Sequence, residues 1–133
     1  MKKIVFLICF ALIFLASCSQ AAGIHNKGLE KSIRSSLEKK SVTEIDIKSF
    51  TDFDWDKAYL ITPYTDRETI KKYLGIKFRD PTNIANRDDI YLLVFLAKNK
   101  VVQYVKIPTK YGSLMHENKD GLTPSNAIIK IQK

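Results

Sequence analysis

The chain has 133 residues, of which 22 are basic and 14 acidic, giving a formal net charge of +8. This length suits one domain and is too short for two ordinary ones. Both cysteines, Cys9 and Cys18, lie near the N-terminus, so the remainder of the chain excludes disulfides, thiolate catalysis, zinc–thiolate sites and iron–sulfur clusters.

The N-terminus has the layout of a secretory signal. Lys2 and Lys3 precede a run of thirteen apolar residues, Ile4 to Ala16. This run is too short to cross a bilayer, because a spanning helix needs about 20 apolar residues. We therefore expect residues 1–17 to be cleaved as a signal peptide, and residues 18–27, which are mostly small and polar, to form a short tether.

The signal ends in Leu15-Ala16-Ser17-Cys18, which resembles the lipobox of bacterial lipoproteins at every position. The resemblance implies that Cys18 carries lipid and becomes the first residue of the mature protein, whereas a chance cysteine after an ordinary signal is the alternative. It also implies a cell-envelope location. Because Ser19 follows the cysteine, the outer membrane is favoured in a bacterium with two membranes, and the exterior of the cell membrane otherwise.

Positive charge is concentrated towards the C-terminus. Residues 98–133 contain seven lysines against Glu117 and Asp120. This basic third could contact anionic lipid or an acidic protein of the envelope, or simply be a solvated surface. The lysines form no dense run with interleaved aromatic residues, so no nucleic-acid partner is expected.

The first element of the domain, which we assign to residues 28–133, is a predicted helix from Gly28 to Lys40. Leu29, Ile33 and Leu37 recur at helical spacing, and Asn26 is placed to cap the start.

Two strands are predicted next. Residues 43–48 alternate apolar and polar side chains. The stretch Phe53 to Thr62 places its large apolar side chains on one parity and Asp52, Asp54 and Asp56 on the other. The three carboxylates are therefore predicted to share one face of a strand.

A short helix is predicted between Pro63 and Gly75. Thr65 and Glu68 have the spacing of a capping box, and Gly75 is suited to a left-handed helix end. The predicted buried positions are Ile70, Tyr73 and Leu74.

The remaining chain predicts a hairpin and a long loop. After a loop over residues 79–89, the apolar run from Ile90 to Ala97 and the strand from Val101 to Ile107 are joined by a tight turn, with the first strand near the middle of the sheet. Residues 108–126 predict a long loop, and Ala127 to Ile131 a last strand. The fold class is α+β, with an antiparallel sheet of four or five strands and two helices packed on it.

The aspartate triplet was compared with known acidic sites. An EF-hand loop needs glycine and glutamate where this chain has Lys57 and Pro63, so that match fails. A looser cation site, carboxylate catalysis of the glycosidase kind and a solvated strand face remain as alternatives. No metal, cofactor or catalytic residue is assigned.

The candidate binding residues are Asp54, Asp56, Tyr111 and His116, the last two from the long loop. His116 is also the candidate base if the protein is an enzyme, since His25 falls in the predicted tether. Trp55 with neighbouring aromatic residues could form a ligand platform, although such side chains more often belong to the core.

Residues 51–78 resemble a segment of small uncharacterised bacterial lipoproteins with an F-D-W-D-K stretch followed by P-Y-T. That resemblance implies fold and compartment but no activity. The sequence thus favours a membrane-anchored, non-catalytic binding module, such as an inhibitor or immunity-type protein. The alternatives are an envelope hydrolase using Asp54 or Asp56 with His116, and a structural envelope lipoprotein.

Overall fold

The computed structural model describes residues 23–133. The predicted signal peptide, Cys18 and residues 19–22 of the tether lie outside the described residues. Within 23–133, seven strands and three helices confirm the α+β class. No helix in this part of the chain has the length and apolar character required to cross a bilayer.

The elements follow one another along the chain with two short 3-10 turns, at Ile84–Asn86 and Thr109–Tyr111. The strands are β1 Ile24–His25, β2 Glu44–Asp46, β3 Lys57–Ile61, β4 Ile90–Ala97, β5 Lys100–Pro108, β6 Ser113–Met115 and β7 Ile128–Gln132. The helices are α1 Lys27–Leu37, α2 Ile47–Phe50 and α3 Arg67–Leu74.

The strands divide into two sheets rather than the single sheet that was predicted. The first has the order β1-β5-β4-β3 and the second the order β2-β7-β6. Every pairing is antiparallel except that of β1 with β5. Two layers are needed because β4 is apolar on both faces, and each face must be covered to exclude water.

Side chains of β4 alternate between two cores. Tyr91, Leu93 and Phe95 face a core formed with α1 and the second sheet. Leu92 and Val94 face a core formed with α3 and Ile84. β4 lies between β3 and β5, which confirms its predicted place near the middle of the sheet.

The hairpin and the first helix match their predictions closely. Lys98 and Asn99 form the β4–β5 turn with φ values of 52° and 60°, the left-handed geometry of a two-residue hairpin. In α1, the Asn26 side chain accepts a hydrogen bond from the backbone N–H of Leu29, and the three predicted positions are buried.

The capping box predicted for α3 is wrong. Asp66, not Thr65, is the N-cap, and its Oδ1 accepts a hydrogen bond of 2.7 Å from the backbone N–H of Thr69. That hydrogen bond lowers the pKa of the Asp66 carboxyl. Thr65 instead donates to the carbonyl oxygen of Thr62, and Tyr73, predicted to be buried, is 54% exposed. Gly75 ends the helix in the left-handed conformation, as predicted.

Two predicted boundaries also change. The predicted strand over residues 43–48 ends at Asp46, which caps the additional helix α2 through its side chain. The predicted loop over residues 108–126 contains β6, which pairs with β7 and whose Leu114 N–H donates to the Tyr91 hydroxyl. This pairing satisfies backbone groups that a buried irregular loop would leave unpaired.

Residues 23–27, assigned to the tether from sequence, belong to the folded domain. Ile24 and His25 pair with β5, and the His25 ring stacks on Tyr104 with a centroid separation of 5.0 Å. The His25 Nε2 atom also lies 2.8 Å from the Glu30 Oε1 atom, which accepts a further hydrogen bond from the Lys106 N–H. Glu30 thereby ties β1, α1 and β5 together, and the predicted domain start at residue 28 is too late.

Candidate functional site

The predicted aspartates do not share a strand face. β3 begins at Lys57, so Asp52, Asp54 and Asp56 lie in the irregular segment before it. All three are exposed. The described residues contain no group of three or more histidine, cysteine or acidic side chains placed to hold a metal ion.

Asp56 has a structural contact that Asp54 lacks. Its Oδ2 accepts a hydrogen bond of 2.9 Å from the backbone N–H of Lys98, the first residue of the hairpin turn. The Asp56 carboxylate therefore satisfies a backbone N–H of the hairpin turn that lies outside the strand pairing.

This difference gives a matched pair of substitutions. We expect Asp56→Ala to lower the free energy of unfolding by about 1 kcal/mol, because a turn amide loses its acceptor. Asp54→Ala should change it by less than about 0.5 kcal/mol, as is usual for an exposed side chain without such a contact. Urea denaturation of the two variants tests the contrast, and equal effects would contradict the assigned role of Asp56.

His116 and Asp56 do not meet. His116 lines a cavity of about 420 Å³ together with Tyr59, Leu60 and Thr62. Neither Asp54 nor Asp56 is among the residues that line this cavity. Acid–base partners need to lie within hydrogen-bond reach of the same reacting atom, so this geometry gives the hydrolase interpretation no support.

The imidazole of His116 has one further feature. Its Nδ1 atom is buried and has no hydrogen-bond partner within residues 23–133. Neighbouring polar groups in the cavity come from Asn118 and Lys119.

Tyr111 links the C-terminal part of the chain to α1. Its hydroxyl donates a hydrogen bond of 3.2 Å to Glu38 Oε1, and its ring packs against the first core. The Lys110 ammonium lies 5.2 Å from the centre of that ring. Tyr111 thus already has contacts within the fold, and of the four predicted binding residues only His116 lines the 420 Å³ cavity.

The aromatic residues near β3 are mainly core. Trp55 is 5% exposed, contacts Phe95 edge to face at 5.3 Å, and donates its indole N–H to Thr51 Oγ1. Phe53 contacts the same ring at 5.1 Å. A Trp55 ligand platform is therefore ruled out by its burial.

A larger cavity lies between α3 and the segment formed by residues 77–81. Its volume is about 1070 Å³. Half of its eight lining residues are cationic, and the lining comprises Arg67, Glu68, Lys71, Lys77, Phe78, Arg79, Asp80 and Pro81.

The cations of this cavity have no internal counter-ions. Within residues 23–133, Arg67, Lys71, Lys77 and Arg79 form no ion pair. Arg87, in contrast, forms a two-pronged contact with Asp89 at 2.8 Å for each hydrogen bond. The four cavity cations are exposed and available to a ligand.

Asp80 keeps one wall of the cavity in place. Its Oδ1 accepts hydrogen bonds from the N–H and the hydroxyl of Thr82, and its Oδ2 accepts one from the N–H of Ile84. Ile84 is fully buried in the second core, and its carbonyl oxygen accepts from the Tyr64 N–H. The carboxylate oxygens of Asp80 are therefore engaged with its own loop rather than directed at the neighbouring cations.

The sequence analysis missed this cavity. Arg67 and Lys71 are four residues apart and share one face of α3, while Lys77 and Arg79 flank Phe78. Each pair alone resembles an ordinary solvated surface. Only the packing of α3 beside residues 77–81 brings the two pairs to one cavity.

Comparison with known proteins gave no match to a protein-family model, to a curated protein or to a solved structure. The chain's own geometry is therefore the basis for a functional proposal.

Proposed function

We propose that this protein is a lipid-anchored envelope module that binds an anionic partner without catalysing a reaction, in the manner of an inhibitor or immunity-type protein. The observation that carries the proposal is the convergence of Arg67, Lys71, Lys77 and Arg79 on one cavity. Of the two acidic residues in its lining, Asp80 is engaged by its own loop.

The lining has a net charge of +2, from four basic and two acidic side chains. Like charges from two separate elements repel one another weakly in the free protein, and a negatively charged ligand removes that repulsion. A cleft lined by one sign of charge also speeds association with ligands of the opposite sign. Arginine adds geometric selectivity, because its planar guanidinium can hold a carboxylate or phosphate through two parallel hydrogen bonds.

Attachment to the membrane is the second part of the proposal. It is supported by the signal layout and by Cys18 at the end of the lipobox-like tetrapeptide. Two or three acyl chains suffice for stable anchoring. The hydrolase alternative is not proposed, because neither Asp54 nor Asp56 is among the residues that line the His116 cavity, and Asp56 accepts a hydrogen bond from the hairpin turn.

The binding proposal is tested by charge reversal in the cavity. We expect Lys71→Glu/Lys77→Glu to weaken binding of fluorescent polyanions, poly-L-glutamate and polyphosphate, by at least about tenfold, or about 1.4 kcal/mol. The wild-type affinity should also fall as salt concentration rises. Fluorescence anisotropy with the lipidated mature protein in neutral detergent micelles measures both effects.

The matched control is Lys31→Glu/Lys40→Glu, which makes the same change in net charge at exposed positions in and after α1. It should weaken binding much less than the cavity variant. An equal loss in both variants would mean that net charge alone attracts the probes. Failure of wild type to bind any polyanion would also contradict the proposal.

A further inference from the structure

We infer that the cationic cavity faces away from the anchoring bilayer and takes an acidic segment of another protein, rather than the headgroups of the membrane that holds the anchor. This inference rests on the proposed function, since it requires both the lipid on Cys18 and a ligand in the cavity. It is argued from where the tether meets the domain and from what lines the cavity.

The tether meets the domain at the hairpin-turn end of the first sheet. Gly23 lies against β5, where an added Cβ would be 2.8 Å from Val101 Cγ1 and 3.3 Å from the Gln103 nitrogen. β1 then runs parallel to β5, so Gly23 lies on the side of the sheet that carries the Lys98–Asn99 turn.

The tether is also short. Five peptide units separate Cys18 from Gly23, and a fully extended chain spans at most about 3.6 Å per residue. The anchor therefore lies within about 18 Å of Gly23. β4 alone is 8 residues long, which corresponds to about 26 Å, so the bilayer can contact one end of the sheet without reaching the other.

The cavity begins at the opposite end. Lys57 pairs with Leu96 and Ile61 with Leu92, so β3 runs away from the hairpin turn. The turn after β3 is closed by the hydrogen bond from Thr65 to Thr62, and α3 starts two residues later at Arg67. The Tyr64 N–H, three residues after β3, donates to the Ile84 carbonyl oxygen, and the Ile84 N–H donates to Asp80 Oδ2. The Asp80 wall of the cavity therefore lies near the end of the sheet that is remote from the tether.

The hairpin end carries no net charge that would keep it away from an anionic bilayer. Its exposed lysines are Lys57, Lys98 and Lys100, and its exposed acids are Asp52, Asp54 and Asp56. These charges balance, so an anionic bilayer does not repel the end of the sheet that the short tether brings close to it.

The lining favours a polypeptide ligand over a phosphate polymer. Phe78 and Pro81 place apolar surface beside the cations, and Phe78 also packs on the second core. The cavity volume of about 1070 Å³ is at the upper limit of small-molecule pockets, which span about 300–1,000 Å³. An acidic peptide offers carboxylates to the cations and side-chain carbon to Phe78, whereas a phosphate polymer offers no comparable apolar group.

Lysine labelling on vesicles tests the inference. The lipidated protein is reconstituted in vesicles of phosphatidylcholine with phosphatidylglycerol, and acylation of each lysine is followed by mass spectrometry. We expect anchoring to protect Lys98 and Lys100 relative to detergent micelles and to leave Lys71 and Lys77 reactive. Adding poly-L-glutamate at ten times its Kd should lower labelling of Lys71 and Lys77 by about tenfold, because about one site in eleven stays free.

Three other outcomes of the labelling experiment would contradict the orientation, the peptide ligand or the proposed function. Protection of Lys71 and Lys77 by the anionic vesicles alone would show that the cavity rests on its own bilayer. Protection by polyphosphate but not by poly-L-glutamate would reject the peptide ligand while leaving an anion site in place. If neither polyanion protects these lysines, in vesicles or in micelles, the proposed function fails as well. Lys31 serves as the internal reference, because it is exposed on α1 and outside both regions.

Discussion

Phe95→Ala is expected to lower the free energy of unfolding by about 3–5 kcal/mol, the largest stability effect among the substitutions considered. Phe95 is 0% exposed and lies third from the C-terminal end of β4. Its ring receives Phe53 and Trp55 edge to face at 5.1 and 5.3 Å. Truncation removes the surface on which Phe53 and Trp55 pack. These two side chains belong to the irregular segment before β3, so the cavity left by the substitution can close only if that segment moves.

Urea denaturation followed by Trp55 fluorescence measures this effect, since Trp55 is the single tryptophan and contacts the deleted ring. Tyr73→Ala removes an aromatic ring that is 54% exposed and should cost less than about 0.5 kcal/mol. A loss below about 1 kcal/mol for Phe95→Ala would contradict the packing of Phe53 and Trp55 on β4.

Elements with a strong local signal were predicted well from sequence. β4 is a continuous apolar run, and such a run needs cover on both faces whatever the rest of the chain does. The Asn26 cap and the left-handed Gly75 are set by interactions within a few residues. Local interactions of this kind leave a readable pattern in the sequence.

The segment before β3 shows why alternation can mislead. Phe53 and Trp55 are inward and Asp54 and Asp56 outward, as the period-2 pattern indicated. This alternation of buried and exposed side chains arises here without a strand, because the rings of Phe53 and Trp55 pack on Phe95 from an irregular segment of the chain. Alternation therefore reported burial correctly, but it did not report backbone pairing.

Charge composition was a poor guide to the candidate site. The lysine-rich residues 98–133 are dispersed in the fold: Lys130 pairs with Glu117 at 2.6 Å, and Lys133 Nζ donates to the Lys39 carbonyl oxygen beyond the end of α1. The Glu117 contact raises the pKa of Lys130 and lowers that of Glu117. The cationic cavity arises instead from tertiary packing of α3 beside residues 77–81, which no periodicity in the sequence records.

Cys18→Ser is expected to move the protein from the membrane fraction to the soluble fraction almost completely. Serine cannot form the thioether that carries the diacylglyceryl group, and each methylene lost from the bilayer removes about 0.8 kcal/mol of binding. A single acyl chain gives only marginal, reversible attachment, so removing two or three chains abolishes retention. Fractionation of cells with and without the substitution measures the change, and mass spectrometry of the native mature protein identifies the modified residue.

Cys9→Ala is the matched control, because it removes the other cysteine, which lies within the apolar run of the signal. Alanine preserves the apolar character that export requires, so this variant should remain in the membrane fraction with lipid on Cys18. Membrane retention of Cys18→Ser, or an intact Met1 in the native protein, would mean that the signal segment itself holds the chain. The inference about cavity orientation would then lose its geometric basis, since it depends on an anchor within about 18 Å of Gly23.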